Sequence, residues 1–488
     1  MISEHPRVRF APSPTGYLHV GGLRTALYNY LFAKNQNGKF ILRIEDTDRN
    51  RYVEGAVENL INVLKWIGLD YDEGPQKGGD YGPYMQSERL DIYKKYAEEL
   101  IEKGHAYYCF CTPERLTELK EDQKSKGLQP KYDKHCLALS KEEADNNLKN
   151  GMPYVVRLNV PADQKVAFDD IVRGRVEFDS NGIDDQVLIK SDGYPTYHMA
   201  NVVDDHFMKI THVVRGEEWL SSTPKHVLLY DAFGWEKPQF AHLPLLLNPD
   251  RSKLSKRQGD VAVEDYRAKG YLKEALLNFV ALLGWNAGDD VEFYYLDEMI
   301  KKFSLERVNK SGAVFDLAKL NWLNAEHLRK MPEADLLNHL KEELSNSKFK
   351  DQTFSDEYLL KVIVSMKERV SFVKEFLEKS PYFFERPEGY EENAVKKSWK
   401  ENTPELLSKL IEGFERLDHP QKEDYEAVLH KTAEELQVGN AKLIHPVRLA
   451  VSGVSAGPGL FDILDILGKE ETLLRLKTAI EKINILKS

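Results

Sequence analysis

Apolar and polar positions along the first part of the chain predict strands and helices in alternation. Residues 8–11 and 40–44 are short apolar runs, which are typical of buried strands. Residues 22–34 and 53–67 repeat apolar side chains at helical spacing and therefore predict two helices. This order of strands and helices implies right-handed crossovers and a parallel sheet. Because ligands of such sheets bind at the carboxyl ends of the strands, we expect the chemistry in the loops that follow Ala11 and Ile44.

The rest of the chain follows a different pattern. Residues 109–150 are rich in lysine and glutamate and interrupt the alternation, which indicates an insertion. Strand patterns return at residues 154–160, 187–190 and 210–215. From about Leu317 onward the apolar spacing is almost wholly helical. The sequence thus predicts an α/β front half with an insertion and an α-helical back half.

Composition and charge narrow the class of protein. The chain has 488 residues, of which 42% are hydrophobic and 30% charged, which is typical of a folded soluble protein with several domains. Its first residues lack the basic-then-apolar pattern of a signal peptide, and its longest apolar stretch, residues 275–285, is well short of the ~20 residues that span a bilayer. We therefore expect a cytoplasmic protein without membrane contact. Its net charge of −11 means that any polyanion must bind a locally basic face.

The loop after the first predicted strand carries the first candidate residues. His19 stands at the start of the following helix, with Gly21 and Gly22 next to it. A histidine and glycines at a helix N-terminus allow an anion to approach the backbone, and the helix dipole favours negative charge there. A glycine-containing turn with a surface histidine is the alternative. The segment has neither the dinucleotide-binding fingerprint nor the P-loop pattern, which argues against a conventional dehydrogenase or P-loop enzyme.

A second candidate segment is strongly basic. Four cations occur within residues 251–257: Arg251, Lys253, Lys256 and Arg257. Such a loop suits closure on a polyphosphate, where lysine stabilises developing charge. A solvated basic loop without function is the alternative.

A third group consists of charges next to strand-like segments. Arg9, Glu45 and Arg215 are two cations and one anion, and Tyr197 and Asn201 add a hydroxyl and an amide. A ligand with two carboxylates and one ammonium needs this set, and arginine binds both oxygens of a carboxylate. Glutamate fits the pattern. Each residue alone could equally belong to a structural ion pair.

Taken together, these segments resemble class I aminoacyl-tRNA synthetases, and in particular the glutamyl branch. His19-Val20-Gly21-Gly22 is similar to the class signature HIGH, although Gly22 replaces its second histidine, and residues 253–257 are similar to KMSKS. Further glutamyl-type blocks are residues 9–16, 43–48, 191–205, 215–219, 312–316 and 457–461. The resemblance covers nearly the whole chain.

The resemblance implies a fold and a division into domains. We expect an α/β, Rossmann-like class I catalytic domain with an inserted α+β domain that binds the tRNA acceptor end, followed by an all-α anticodon-binding region. The expected segments are 1–108 (catalytic, first half), 109–200 (insertion), 201–245 (catalytic, second half), 246–325 (stem contact, with the basic loop), 326–385 (anticodon domain 1) and 386–488 (anticodon domain 2).

The resemblance also implies a reaction. Glutamate and ATP would form glutamyl-adenylate, and the glutamyl group would pass to the terminal adenosine of tRNA(Glu) for protein synthesis, with Mg²⁺ accompanying ATP. The implied catalytic residues are His19, Lys253, Lys256 and Arg257. The implied ATP-binding residues are His19, Gly21, Gly22, Glu218, Trp219, Leu246, Lys253, Ser255 and Lys256. The implied glutamate-binding residues are Arg9, Ala11, Ser13, Glu45, Tyr197, Asn201 and Arg215.

The three cysteines, Cys109, Cys111 and Cys136, suit a reducing compartment and resemble the zinc site that some members of the family carry. The expected position of the fourth ligand is Ala138, and a structural zinc normally takes four ligands. His135 could substitute, but its side chain should point away from that of its neighbour. Three reduced thiols without metal are therefore the favoured interpretation, and structural Zn²⁺ is the less favoured one.

Partner and rival assignments follow from the same resemblance. Arg369 aligns with a position at which discriminating family members carry an arginine that reads the third anticodon base, so we expect an enzyme that acts on tRNA(Glu) alone. The resemblance separately implies a monomer. A glutaminyl-tRNA synthetase is the nearest rival, but it typically has a different first loop and β-barrels in place of the helical back half. A shortened relative that modifies a tRNA base lacks an anticodon domain. A tRNA-binding regulator without catalysis is the third alternative, and His19, Lys256 and Arg9 argue against it.

Overall fold

The computed structural model describes residues 5–254 and 262–487. The chain forms two compact units: unit 1 comprises Met1–Lys269 and Lys273–Leu320, and unit 2 comprises Gly270–Leu272 and Asn321–Ser488. Three residues expected to act on phosphates, Ser255, Lys256 and Arg257, lie outside the described residues. Within the described residues, no helix combines the length and the apolar character needed to cross a membrane.

Unit 1 begins with the predicted alternation of strands and helices. Its first elements are β1 (Arg7–Phe10), α1 (Val20–Asn35), β2 (Lys39–Leu42), α2 (Ala56–Ile67) and α3 (Leu90–Glu102). Next come β3 (Ala106–Cys109), α4 (Pro113–Ser125), α5 (Lys141–Lys149), β4 (Val155–Leu158), β5 (Lys165–Asp170), β6 (Gly174–Asp179) and β7 (Val187–Ile189). The alternation then returns with α6 (Tyr197–Phe207), β8 (His212–Gly216), α7 (Thr223–Phe233), β9 (Gln239–Leu243) and β10 (Leu246–Leu247). The last elements are α8 (Val263–Ala268), α9 (Lys273–Leu282), α10 (Leu296–Lys302), β11 (Ala313–Val314) and α11 (Leu317–Lys330), the last of which extends into unit 2.

Unit 2 is helical, as the apolar spacing predicts. Its helices are α12 (Glu333–Ser345), α13 (Asp356–Met366), α14 (Glu375–Lys379), α15 (Glu392–Ser398), α16 (Thr403–Glu415), α17 (Lys422–Glu435), α18 (Ala441–Ser452) and α19 (Leu460–Lys487). Helix α19 is kinked at Gly468, whose φ of 77° is a left-handed conformation that favours glycine.

The predicted parallel pairing is confirmed for the first two strands, and a further parallel pair occurs later in the chain. Strands β1 and β2 pair in parallel, and so do β8 and β9, in which Arg215 lies opposite His242. The backbone N–H of Thr211, directly before β8, donates to the carbonyl of Arg7 at 2.9 Å, which places the start of β8 beside β1. The ends of these strands therefore meet at one edge, where the site lies.

The segment predicted to be an insertion shares a sheet with the strands that follow it. Strands β3, β4 and β7 form an antiparallel sheet. Strands β5 and β6 form a hairpin, and β5 also pairs in parallel with β9, so that four strands share one sheet in the order β6-β5-β9-β8. The sequence did not predict β5, β6 or β9. The division into six segments stays a prediction.

Helix α6 brings polar side chains into the centre of unit 1. Its apolar residues Met199, Val202 and Val203 are fully buried. Tyr197, Asn201 and Asp205 recur every four residues, so they lie on one face of the helix. That face turns toward β1 and β8, because Asp205 bonds Arg9 and Tyr197 bonds Arg215.

Candidate functional site

A cavity of about 920 Å³ opens at the carboxyl ends of β1, β2 and β8. Its lining includes every residue predicted to bind glutamate, namely Arg9, Ala11, Ser13, Glu45, Tyr197, Asn201 and Arg215. It also includes the described residues predicted to bind ATP, namely His19, Gly21, Gly22, Glu218, Trp219, Leu246 and Lys253. The structure thus brings together side chains that lie more than two hundred positions apart in the chain.

His19 caps the first turn of α1 at the mouth of this cavity. Its Nδ1 accepts a hydrogen bond from the backbone N–H of Gly22 at 3.1 Å. A Cβ at position 21 would lie 3.1 Å from that Nδ1, and one at position 22 would lie 2.8 Å from Cδ1 of Leu18. A side chain at position 21 would therefore crowd the imidazole, and one at position 22 would require the Leu18 side chain to shift.

The basic loop is anchored on both sides of the same cavity. Before the loop, Lys253 pairs with Leu247, and the N–H of Leu254 donates to the carbonyl of Leu246 at 2.9 Å. After it, Ala262 pairs with His19. The described residues on either side of Lys256 and Arg257 therefore lie beside β10 and beside His19, respectively.

Two buried arginines share one carboxylate beneath the cavity. Asp205 Oδ1 accepts hydrogen bonds from Nε of Arg9 at 2.9 Å and from a terminal nitrogen of Arg43 at 2.7 Å. Arg43 also donates to Glu45 at 3.0 Å. With its amide oxygen turned toward the arginines, Asn201 accepts from Arg9 at 3.1 Å and from Arg43 at 3.2 Å. One hydrogen-bonded group therefore links a predicted carboxylate ligand, Arg9, to the predicted ammonium ligand, Glu45.

The electrostatics of this group keep its charges in place. Burial alone would raise the pKa of Asp205, but Arg9 and Arg43 outweigh it and hold that pKa below its ordinary value. Burial raises the pKa of Glu45, although Arg43 and Arg9 oppose the increase. Glu45 is therefore a carboxylate whose negative charge depends on nearby cations, and a substrate ammonium would favour that charge further.

Arg215 lies in a different environment, since its hydrogen-bond partners among the described residues are neutral groups. Its guanidinium donates to the hydroxyl of Tyr197 at 3.0 Å, to that of Thr223 at 2.9 Å and to Nε2 of His242 at 3.1 Å. Nδ1 of His226 lies 3.3 Å from both terminal nitrogens. Throughout residues 5–254 and 262–487, no carboxylate oxygen lies within 4.0 Å of its nitrogens. A buried cation without a counter-ion is costly, so this position favours an anionic ligand.

The histidines around Arg215 are held neutral. Burial, followed by the charge of Arg215, lowers the pKa of His226 well below its ordinary value. Burial and Arg215 also lower the pKa of His242 to about 4, against the opposing effect of a hydrogen bond to Asp170. Near neutral pH both rings can accept hydrogen bonds from the guanidinium without adding positive charge.

The aromatic wall of the cavity lies next to this arginine. The rings of Tyr197 and Trp219 are 4.2 Å apart between centroids and inclined by 32°. Glu218 packs so closely on the turn before it that a Cβ at position 216 would lie 2.2 Å from its carboxylate. Gly216 therefore allows the chain to turn from β8 into this wall.

Several residues of the site were not identified from the sequence. Asp205 had a local signal, because it follows Asn201 by four positions on the same helix. Asp170, His226 and His242 had none, because only the pairing of β5 with β9 and the packing of α7 bring them to Arg215.

The three cysteines of the insertion form a compact cluster. Their sulfur atoms all lie within 4.8 Å of one another, and those of Cys111 and Cys136 are 3.5 Å apart. The hydroxyl of Tyr132 lies 3.4 Å from Sγ of Cys109 and 3.3 Å from Sγ of Cys111. His135 is exposed, as expected. The sequence did not identify Tyr132 as a candidate, because a fourth ligand was expected close to Cys136 and tyrosine is not one of the usual zinc ligands.

Arg369, the predicted anticodon reader, is exposed in unit 2. It ends a short 3₁₀ helix, Lys367–Arg369, that directly follows α13. Its backbone carbonyl accepts a hydrogen bond from Nζ of Lys379 at 3.2 Å. The guanidinium is therefore carried by a segment whose backbone is fixed from both sides.

Comparison with known proteins covers both units. Residues 6–322 match the family described as tRNA synthetases class I (E and Q), catalytic domain, and residues 332–480 match an anticodon binding domain. The chain is 57% identical to the glutamate–tRNA ligase of Chloroherpeton thalassium and 54% identical to that of Chlorobaculum parvum, in each case over 99% of both chains. A solved structure of a glutamate tRNA ligase from Elizabethkingia meningosepticum in complex with its amino acid is 44% identical, with a TM-score of 0.93 over 98% of this chain and 100% of that chain.

The shared carboxylate should stabilise the fold in a pH-dependent way. We expect Asp205→Asn to lower the free energy of unfolding at pH 7 by about 3–5 kcal/mol, because it leaves two buried cations short of a partner. Since the folded-state pKa of Asp205 lies below its ordinary value, this difference should persist down to about pH 5 and shrink as the pH falls below about 4. Urea denaturation at several pH values measures it.

The matched control is Asp122→Asn, which removes an exposed ion pair with Lys126 and should cost about 1 kcal/mol or less. A difference for Asp205→Asn that stays constant from pH 7 to pH 3 would contradict the assignment.

Proposed function

Because this chain belongs to the glutamate–tRNA ligases, a family of class I tRNA synthetases, we propose that the cavity of unit 1 is the place where it attaches glutamate to tRNA. The chain is an ATP-dependent ligase of protein synthesis. The observation that supports the cavity as the site is the set of charges that lines it. Arg9, Arg215 and Glu45 border one space, and free glutamate carries two carboxylates and one ammonium.

In this proposal Arg9 and Arg215 bind the two carboxylates of glutamate, and Glu45 binds its ammonium. Asp205 and Arg43 hold these groups in position from beneath. The remaining contacts come from Ala11, Ser13, Tyr197 and Asn201. Because the pocket is preformed by buried hydrogen bonds, little side-chain ordering opposes binding.

ATP occupies the part of the cavity next to α1 and the basic loop. The α-carboxylate of glutamate attacks the α-phosphorus of ATP and pyrophosphate leaves. A ribose hydroxyl of the terminal adenosine of tRNA then attacks the carbonyl carbon of the adenylate, the acyl–phosphate bond breaks, and AMP leaves. Catalysis of this kind rests on positioning and on stabilising phosphate charge. His19 contacts phosphate oxygens, and Lys253, Lys256 and Arg257 stabilise the charge that develops.

The adenosine lies against the glycines of the first turn and the aromatic wall, where Gly21, Gly22, Glu218, Trp219 and Leu246 border it. Mg²⁺ binds with ATP through the phosphate oxygens, as is usual for this cation.

Selection against glutamine is electrostatic in this proposal. The amide of glutamine has nearly the same shape as the carboxylate of glutamate, so size cannot separate the two. Arg215 has no counter-ion among the described residues, and an amide would leave its charge uncompensated in a buried site.

Exchange of labelled pyrophosphate into ATP tests the function. We expect exchange with glutamate but not with glutamine, and only when tRNA is present. Arg9→Ala and Arg215→Ala should each raise the KM for glutamate by about two orders of magnitude while leaving the KM for ATP nearly unchanged, because truncating a buried charged pair costs on the order of 2–5 kcal/mol.

Arg416→Ala removes an exposed arginine of unit 2 and serves as the control, with no expected effect on either constant. Absence of exchange under every condition would contradict the catalytic function. An equal loss of glutamate and ATP affinity in Arg9→Ala and Arg215→Ala would contradict the roles of these residues.

We also propose that the cysteine cluster binds a structural Zn²⁺. Thiolates on a tetrahedral zinc at Zn–S distances near 2.3 Å lie about 3.8 Å apart, which is close to the observed separation of Cys111 and Cys136. The Tyr132 hydroxyl supplies the fourth ligand, because the expected position of that ligand is occupied by Ala138. The guanidinium of Arg157 lies 4.1 Å from the centroid of the Tyr132 ring and holds this side chain beside the sulfur atoms. A metal bound there ties the end of β3 to the segment around Cys136.

Metal analysis of the purified protein tests this site. We expect about one zinc per chain, and loss of it in Cys136→Ser. Tyr132→Phe keeps the ring but removes the oxygen, so it should release zinc to a chelator faster than the unmodified protein. His135→Ala is the matched control and should retain zinc. Zinc loss in His135→Ala with retention in Tyr132→Phe would reverse the assignment of the fourth ligand.

Unit 2 is proposed to bind the anticodon of tRNA(Glu). Single-stranded bases are read by stacking and hydrogen bonds, and the exposed guanidinium of Arg369 can offer both. We assign it to the third anticodon base. The same family membership leads us to propose a monomeric, cytoplasmic enzyme.

Charging assays with purified tRNAs test this specificity. We expect efficient attachment of glutamate to tRNA(Glu) and little to tRNA(Gln). Arg369→Ala should lower the ratio of the two charging efficiencies, tRNA(Glu) over tRNA(Gln), by about 10-fold, which is the effect of one lost base contact. The exposed Arg416→Ala should not change the ratio. Equal charging of both tRNAs by the unmodified protein would contradict the proposal.

A further inference from the structure

The pocket contains a buried chain of polar groups that reaches Arg215 from behind. Asp170 is the last residue of β5, His242 belongs to β9, and Arg215 belongs to the neighbouring strand β8. Oδ2 of Asp170 lies 2.6 Å from Nδ1 of His242, and Nε2 of the same ring accepts from Nε of Arg215 at 3.1 Å. All three side chains are almost completely buried.

The order of these groups fixes the tautomer of the histidine. A carboxylate can only accept hydrogen bonds, so Nδ1 of His242 carries the proton. Nε2 then has a lone pair directed at Arg215, which donates to it. Asp170 is itself held by the backbone N–H groups of Val172, Arg173 and His242, at 3.0, 2.8 and 3.1 Å.

We propose that Asp170 and His242 are positioning residues that fix the Arg215 guanidinium for the glutamate carboxylate. This inference rests on the proposed role of Arg215 in binding glutamate. The neutral ring has a specific advantage over a carboxylate in direct contact. A carboxylate on Arg215 would compensate its charge and weaken its attraction for the substrate. His242 supplies the orienting hydrogen bond, while the negative charge of Asp170 remains on the far side of the ring.

The contrast with Arg9 supports this assignment. Arg9 makes two hydrogen bonds to the carboxylate of Asp205, whereas Arg215 bonds a histidine and two hydroxyls. Of these two arginines that line the cavity, only Arg215 lacks a carboxylate partner within the described residues. Arg215 should therefore attract a substrate carboxylate more strongly than Arg9 does. Binding should also depend more on the orientation of the Arg215 guanidinium.

A variant that inverts the tautomer provides the sharpest test. Asp170→Asn keeps the size of the side chain, but its amide can donate to Nδ1 of His242, which moves the ring proton to Nε2 and turns it against the N–H of Arg215. We expect the KM for glutamate in the exchange assay to rise about 10- to 100-fold, as for other outer residues that orient a binding group. The KM for ATP should stay within about twofold, because the side chains of Asp170 and His242 bond each other, Arg215 and Thr223, none of which is assigned to the phosphates.

Two variants at position 242 accompany it. His242→Leu removes the acceptor and should raise the KM for glutamate as much as Asp170→Asn. His242→Gln can still accept from Arg215 and donate to Asp170, so it should recover much of the loss. His212→Gln is the matched control, because this histidine lies on the same strand as Arg215 but bonds Thr211 and packs on Phe32.

The outcomes separate this inference from the proposed function. If Arg215→Ala leaves the KM for glutamate unchanged, the role of Arg215 fails, and this inference fails with it. If Arg215→Ala raises that KM while Asp170→Asn and His242→Leu do not, the positioning role alone is overturned. A combined Asp170→Asn/Arg215→Ala variant should be no worse than Arg215→Ala, because both act through one guanidinium. Additive losses, or an equal rise of the KM for glutamate and ATP, would show a merely structural link between β5 and β9.

Discussion

The pocket depends on keeping several arginines charged inside unit 1. A buried cation is tolerated only when hydrogen bonds and counter-charges surround it, and Asp205 provides these for both Arg9 and Arg43. Because one carboxylate serves two guanidinium groups, the positions of β1, β2 and α6 are fixed relative to one another. The loops that follow these strands then have one arrangement in which the cavity can form.

Arg9 and Arg215, which both line the cavity, are held in different ways, and the difference has a chemical consequence. Arg9 is paired and contributes shape and hydrogen bonds as much as charge. Arg215 is bound by neutral acceptors, and two of these are histidines whose pKa values are lowered by burial. Neutral histidines give direction without compensating the charge, so recognition of a carboxylate and rejection of an amide can arise from the same residue.

Local sequence patterns predicted the elements whose structure depends mainly on residues close in the chain. The first strands, α1 and α2 follow from apolar spacing, and the glycines beside His19 follow from the need for close approach at a helix start. Strands β5, β6 and β9 were not predicted, and neither were the roles of Asp170 and His242. These two residues reach Arg215 only because strands distant in the chain pair with each other. Tyr132 was missed for a related reason, since a phenol becomes a candidate ligand only after folding brings it to two thiols. The described residues that the resemblance assigns to glutamate and ATP line one cavity, whereas the residues that support them were visible only in three dimensions.

The hairpin formed by β5 and β6 shows how far an inserted segment can merge with its host. It lies within residues 109–200, which the sequence predicts to be an insertion, yet β5 pairs with β9 and ends on a carboxylate that reaches Arg215 through one histidine ring. Such a segment cannot be exchanged without changing the sheet that it joins. Exchanging it between relatives would replace a strand of this sheet as well as a surface. Substitutions in β5 and in β9 are therefore constrained by the pairing of the two strands.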